Sequence, residues 1–600
     1  VIKFPAQPGA FKQIGNSDVL GNIWSSLGLD LTTNLGRIRA GYRGLIVSDS
    51  VDLTNLKTAT AFVMYRDGNN DRIWALAGSR LFRNAGNPNN PFSQDTTSGT
   101  PTSLGDGSDM ELFNDAIYVI NSTGGTLSKY DGTWTTVSTD PNGGESQMCV
   151  YAGRLYFSQG SSQICSVDLA DALSEPSGTP NTIPYTLDLK DFGVGGSDAN
   201  TITSIRASSN RIWITTLDST SLSRSAGRAG KVFEWDGVST QANKVYYLDS
   251  IGGMALIIKG DIPYVVDADG KLLQYNGREF AEVARLPVAP NQYLNNPTAG
   301  NPVNRFIHPR GITLRDGKIL ILINNLLESS DDAILENLPS GVWEYDETIG
   351  LYHKYGMSQW KYGVTTTRTD YLQNRVNEVG ALFSAKSTSN SASLNGDLLF
   401  GARYYNESTT LRYGIFINDT LDSASKVAYL VTTKIDSQNV YDVWQKVFVT
   451  HKQFFDASDK IVLKYRTIDE EPLEINVAWT STTQFVTSDD ISNYSIGDEV
   501  EVTSGKGGGQ IEHITGIAPL GSSTVVSLEN PVIGASGDGK VRLQKWIPII
   551  ETNPYNLYVR EFPISDAETS WIQLKCVMYF TGQDEVNTLL LVNKPQLPAV

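Results

Sequence analysis

A short phrase returns seven times along this chain and limits what the chain can fold into. Its clearest form is GRLYFSQG, Gly153 to Gly160. The others are DRIWALAG from Asp71, DAIYVINS from Asp115, NRIWITTL from Asn210, GDIPYVVD from Gly260, DGKILILI from Asp316 and GDLLFGAR from Gly396. Each opens on Asp, Asn or Gly and runs into a hydrophobic strand. The matched positions Trp74, Tyr118, Tyr156, Trp213, Tyr264, Leu320 and Leu399 lie about 40 to 80 residues apart. Another apolar strand precedes most copies (AFVMYR, MELFN, MCVYA, SIRAS, MALIIK, GITLR), and an Asx or Gly turn between the two predicts a hairpin.

A second phrase follows downstream, an aromatic residue and then a turn: SKYDGTW at Tyr130, FEWDGVS at Trp235, LQYNGREF at Tyr275 and WEYDETIGLY at Tyr345. Asp-Gly and Asn-Gly supply the positive φ of a two-residue hairpin turn. The unit is therefore strand, turn, strand, link, strand, turn, strand. Four antiparallel strands in a period of about 40 to 55 residues predict the blade of a β-propeller. The expectation is an all-β chain with roughly seven blades over 56–436, preceded over 1–55 by an N-terminal arm with a strand that closes the ring. The inner strands carry the smaller residues, and the Tyr and Trp positions wedge between blades. On this reading the repeated phrase is a packing module, not a binding site.

After the ring the pattern changes. Long alternating strands such as VWQKVFVTHKQFFDASDKIVLKYRT and SWIQLKCVMYFTG predict a β-sandwich over 437–480 and 546–600. Short strands around SIGDEVEVTSGKGGGQIEHITGI predict a small inserted β-barrel-like domain over 481–545.

The chain has 600 residues and a net charge of −17. An acidic chain does not neutralise phosphates, so specific nucleic-acid binding and attraction to anionic membranes are disfavoured. From Asn439 onward there are 21 acids against 12 bases, about half of the excess. No apolar run reaches the length of a membrane helix, and the opening VIKFPAQPGAF has no signal-like apolar core. Cys149, Cys165 and Cys576 sit in apolar strand contexts, an odd and sparse set that reads as free buried thiols. Cys149 and Cys165 fall on the first and third strands of one blade.

Motifs that carry chemistry are weak. His308, His353, His451 and His513 show no metal-ligand or triad spacing. SGKGGGQ (Ser504 to Gln510) lacks the order of a phosphate loop and a following helix, so it reads as a hairpin tip. KDFGVGGSD (Lys190 to Asp198) has no kinase context. RDGNNDR offers Asp67, Asn69 and Asp71 as oxygen ligands but lacks the sixth-position Gly and closing Glu of a calcium loop. VDADGK (Val266 to Lys271) reads as a hairpin turn. SKYDGTW departs from the sialidase box because Asp131 directly precedes Gly132, and carboxylate pairs are too common here to mark a glycosidase. No catalytic, cofactor-binding or metal-binding residues are assigned, no cofactor is expected, and the chain is read as a non-enzyme.

The stretches SSLGLDLTTNLGRIRAGYRG (Ser25 to Gly44), FSQDTTSGTPTSL (Phe92 to Leu104) and FVTSDDISNYSIGDEVEVTSGKGGGQIEHITGI, set in an acidic propeller with an interrupted sandwich, give the chain its resemblance to structural proteins of bacteriophage tails. That resemblance implies a virion component of nozzle, hub or fibre-associated type. Its partners would be other tail proteins and copies of itself, its location the virion tail, and its work assembly, host contact or DNA passage. Rigidity with few free strand edges suits such a part. The alternatives are a secreted or cell-surface propeller binding glycans and a glycan-active enzyme, with an extracellular location. The sequons at Asn121, Asn406 and Asn418 do not separate these readings.

Overall fold

The computed structural model describes strand and turn backbone between residues 2 and 595, with side chains chiefly over 59–577. The longest stretches outside the described residues are 5–22, 46–58, 287–305, 324–340 and 357–375. No α-helix occurs among the described residues, and none is long and apolar enough to cross a membrane.

Seven small antiparallel sheets carry the repeats. Their first strands are Ala59–Asp67, Asp109–Phe113, Met148–Tyr151, Asn200–Ala207, Gly253–Lys259, Ile312–Arg315 and Val376–Ala385. Their second strands are Asn70–Ala77, Ala116–Asn121, Arg154–Gln159, Ile212–Asp218, Ile262–Asp267, Lys318–Ile323 and Asp397–Tyr405. All seven matched phrase positions, from Trp74 to Leu399, stand on these second strands. Sheets 1 to 7 are numbered in this order; the first six are four-strand meanders, save that sheet 3 adds Leu187–Asp188, and sheet 7 completes three consecutive strands with a fourth from the N-terminal region. The first strand of each sheet packs on that of the next, and the first strand of sheet 7 packs on that of sheet 1. The contacts therefore run in a cycle.

The turns explain the repeat. Phe113 pairs with Ala116, Tyr151 with Arg154, Lys259 with Ile262 and Arg315 with Lys318, which leaves two-residue loops. Both loop residues have positive φ: Asn114 and Asp115 at 48° and 56°, Gly260 and Asp261 at 54° and 67°. Asx and Gly tolerate this at least cost, and the turn twists with its strands. The second phrase is different. Tyr130 pairs with Trp134 and Tyr275 with Phe280, so these loops hold three and four residues instead of two. In the longer one the Asx side chain closes the loop: Asn276 Oδ1 accepts from the N–H groups of Arg278 and Glu279 at 2.9 and 3.0 Å.

The two phrases meet across sheets. Trp74 of sheet 1 packs on Tyr130 of sheet 2, with ring centroids 4.9 Å apart. Tyr156 of sheet 3 meets Trp235 of sheet 4 at 5.4 Å, and Trp213 of sheet 4 meets Tyr275 of sheet 5 at 5.0 Å. Tyr264 of sheet 5 meets Tyr345 of sheet 6 at 6.3 Å. Buried clusters lie between successive sheets, including one that joins sheet 7 to sheet 1 through Ala59, Phe62, Ala381 and Leu399. At that seam a Cβ on Gly401 would sit 2.6 Å from Ala59 N, so only glycine lets the backbones approach.

The N-terminal 1–55, expected as an arm, is divided among several sheets. Tyr42–Leu45 pairs with Leu411–Asn418 as the fourth strand of sheet 7. Ile2–Phe4, Leu29–Asp30 and Gly36–Ile38 join a seven-stranded sheet with Asp442–His451, Val559–Glu568 and Glu585–Pro595. Ile23–Leu27 joins a six-stranded sheet with Val427–Thr432, Lys460–Thr467 and Trp571–Tyr579. These two sheets share a buried cluster, Val447, Val449 and Phe562 on one side and Leu463, Ile572 and Leu574 on the other, which continues into sheets 5 and 6. A closed six-strand barrel runs from Leu473–Ser481 to Gly537–Gln544. It therefore starts at 473, not 481, and the region expected as a sandwich over 437–480 and 546–600 also takes strands from 2–38 and 427–436. Pairing partners that lie hundreds of residues away leave no local sequence pattern.

All three cysteines are free and buried, with Cys149 and Cys165 on strands separated by Arg154–Gln159. Burial pushes the Cys149 and Cys576 thiols up to about 12.

Candidate functional site

Two places gather polar side chains that the repeat itself does not need. The first is where the first strands converge. The turn HPRG leads into sheet 6, with the Arg310 N–H donating to His308 Nδ1 at 3.1 Å and Gly311 N–H to His308 O at 2.7 Å. This turn aims Arg310 across to sheets 2 and 3. Its Nη2 donates to Asp109 Oδ2 at 2.6 Å, Glu111 Oε2 at 3.0 Å and Met148 O at 3.0 Å, and Nε adds a bond to Asp109 at 3.2 Å. Asp109 is fully buried and also accepts from the Met110 and Met148 N–H groups. The carboxylates and their hydrogen bonds hold the Arg310 guanidinium more basic than usual despite its burial. Arg206 of sheet 4 stands beside the cluster, and burial, then the like charge of Arg310, push it down to about 10.

Chemically this network is a clasp. Asp109 and Arg310 are mutually paired, and the neighbouring Cys149 thiol is held protonated by burial, so it is no nucleophile. The clasp ties sheet 6 to sheets 2 and 3, on the far side of the cycle.

The second place is a groove of about 350 Å³ between the outer strands of sheets 4 and 5. One wall is Lys244–Tyr247 and the other Lys271–Tyr275 with Phe280–Arg285, with Asp267 in the lining as well. Tyr246 is locked in place: its hydroxyl lies 2.9 Å from both Glu234 Oε2 and the Tyr275 hydroxyl, and Phe280 packs edge-on at 5.6 Å. Burial, then its bonds to Tyr275 and Glu234, hold its hydroxyl protonated well beyond the ordinary tyrosine range. Tyr247, the next residue along the strand, is 71% exposed. Asp249, Glu279 and Glu282 add carboxylates, and Lys271 adds one ammonium among the lining residues.

Asp267 belongs to VDADGK, which is the turn after the second strand of sheet 5. Its Oδ1 accepts from the N–H groups of Asp269 and Lys271 at 3.0 and 2.8 Å. Its Oδ2 has no hydrogen-bond partner although the residue is fully buried. Burial pushes this carboxyl up to about 6.

The other motifs do not converge. His308 serves the turn that presents Arg310, His451 is buried on Asp442–His451, and His353 lies on Gly350–Gly356. His513, on the barrel, stands 3.4 Å from Glu529 and 4.0 Å from Glu499. Ser504 to Gln510, the side chains of Asp67, Asn69 and Asp71, and 193–198 of KDFGVGGSD lie outside the described residues. Among the described residues no group of three or more His, Cys, Asp or Glu is placed to hold a metal ion. Sequence reasoning passed over KVYYLDS, Lys244 to Ser250, which carries no turn or motif signal of its own. Only the packing of sheet 4 on sheet 5 places it beside VDADGK.

No family model matches the chain, and no curated protein matches it. Among solved structures, the extracellular domain of a one-component system from B. thetaiotaomicron overlaps at a TM-score of 0.36 and 12% identity. The overlap covers 80% of this chain and 50% of that domain, so the chain spans half of the length it matches. A computationally designed protein overlaps at 0.33 and 12% identity, over 62% of this chain and 99% of the design. PorZ, a surface component of the type-IX secretion system of Porphyromonas gingivalis, overlaps at 0.19 and 12% identity, over 68% of this chain and 52% of its own. Likenesses this loose carry no functional argument.

Proposed function

We propose that the chain is a non-catalytic structural component of a larger assembly, built as a seven-bladed β-propeller with a β-sandwich and an inserted barrel. The virion tail is the setting its sequence resembles, with other tail proteins and copies of itself as partners. The observation that carries the reading is the Arg310 clasp. A propeller's axis is a natural place for a reacting centre, and here that region is spent on holding sheets together. A second support is the junction of the barrel with the six-stranded sheet. Glu499 of the barrel takes Lys575 at 2.6 Å and Lys464 at 2.9 Å, and Arg466 is bound to Gln573 and Gln544. A barrel anchored this way is held in a fixed orientation against that sheet.

The test is recovery of the chain by mass spectrometry from purified particles, together with capsid, portal or tail genes flanking its own. Turnover of a glycan substrate by the purified chain, abolished by Asp109→Asn without loss of fold, would overturn the reading. The second reading, a surface propeller that binds glycans, draws on the exposed Tyr247 beside the groove, and a glycan array tests it directly.

A further inference from the structure

The groove between sheets 4 and 5 contains an unmet demand. Asp267 is fully buried, both acceptor positions used on its Oδ1 belong to its own turn, and Oδ2 is bare. The nearby Ser250 hydroxyl favours the charged carboxyl weakly, but its proton is directed to Gly252 O at 3.1 Å, which leaves Oδ2 without a well-aligned donor. A buried carboxylate oxygen without a donor is costly, and asparagine would close the same turn without that charge. Costs of this kind concentrate where a site needs them.

The lining says which donor suits it. Asp249 and Glu279 are exposed acids, while Glu282 is already held by Arg285 through two bonds of 3.0 and 3.1 Å. With Lys271 as the one basic side chain among the described lining residues, the groove is negative, which disfavours phosphates and acidic sugars. Tyr246, Tyr247 and Phe280 offer aromatic surface, which attracts cations over the ring face. A bare metal ion is disfavoured because no triad of ligands converges among the described residues. A neutral sugar uses mixed donors and acceptors and gains little from an acid excess.

We infer that this groove receives an ammonium or guanidinium group, which donates to Asp267 Oδ2 and lies against the tyrosine wall. The cation comes either from a basic side chain of a partner protein or from a free polyamine. The inference goes beyond the structural role proposed above and stands whether or not the chain belongs to a virion.

Calorimetric titration of the full chain at low salt tests it, with a triarginine peptide, spermidine and maltoheptaose as probes. The wild type is expected to bind at least one cation saturably, at least tenfold more weakly in Asp267→Asn and several-fold more weakly in Tyr247→Ala. Binding of the peptide without spermidine assigns the cation to a partner protein, and binding of both assigns it to free amines as well. Absence of saturable binding by either cation overturns the inference. So does equal affinity in both variants, or binding of maltoheptaose in their place. Tyr247 is exposed, so its variant keeps the test decisive should Asp267→Asn fold poorly.

Discussion

The cyclic sheets and the barrel junction are both held by side chains that cross between elements, but the chemistry differs. Between sheets 1 and 5 the crossing groups are mostly aromatic: Trp74 on Tyr130, Tyr156 on Trp235 and Trp213 on Tyr275. Between the barrel and the six-stranded sheet they are charged, with Glu499 between Lys464 and Lys575 and with Arg466 over the Trp546 ring at 4.4 Å. Apolar contacts are indifferent to pH, whereas a buried ion pair depends on both partners keeping their charge. The repeat region is therefore built for permanence and the junction for a fixed orientation that acid can release.

The largest break should come from Trp213→Ala, which removes a buried ring touching Tyr246, Tyr275 and Phe280. Losses of this type run to about 3–5 kcal/mol, and chemical denaturation should show it at every pH from 4 to 8. A loss that appeared only in acid would put the aromatic seams in the wrong class.

The junction should answer to acid instead. Its two lysines, opposing the cost of burial, hold the Glu499 carboxyl down at about 2, against 4.5 for an ordinary glutamate. The folded pKa is depressed, so the stabilisation is complete above 4.5 and is lost as pH falls toward 2. That difference is worth about 3 kcal/mol. Glu499→Gln should remove most of it at pH 7 and nothing below pH 2. Hydrogen exchange confined to 473–544 and its neighbours would mark the change as local, while uniform exchange across the seven sheets would erase the contrast.

Arg310→Met tests the ionic clasp inside the ring. It strands Asp109 without a counter-charge, and breaking one side of a buried pair costs roughly 3 kcal/mol. Because Arg310 ties sheet 6 to sheets 2 and 3, the expected result is a lower midpoint with a broader or split transition. A single transition as sharp as the wild type's would show that the clasp is not what couples the sheets.

Asp267→Asn carries the smallest effect and the opposite sign. The wild-type carboxyl is raised from 3.8 to about 6, so the folded state binds the proton more tightly than the unfolded chain. Stability then falls as pH rises from 3.8 through 6, and the variant should be more stable above pH 6 by about 1–3 kcal/mol. At pH 3 the two should coincide. Equal thermal midpoints at pH 7.5 would mean that Asp267 has a partner.

Much of the ring was legible because its information is local. The apolar strand runs, the Asx and Gly turns, and the recurring Tyr or Trp are all readable within eight residues, and they put Trp74 through Leu399 on equivalent strands. The loops of the second phrase were misjudged as two-residue turns because Asp-Gly and Asn-Gly also serve longer Asx-closed loops, and only strand register separates the two. The candidate groove was not legible: Tyr247 and Asp267 are twenty residues apart on different sheets, and the VDADGK phrase that holds Asp267 reads only as a turn.

What the sequence determined by itself is the secondary structure, the number of repeats and the acidic surface, since each follows from residue type and short spacing. The tertiary structure alone decided which strands the N-terminal residues join, that Arg310 reaches Asp109 over 201 positions of chain, and that one Asp267 oxygen is left without a donor. These depend on distances between segments that never meet along the chain. Burial then sets their energies, because a charge or a bare oxygen matters most where water cannot reach it.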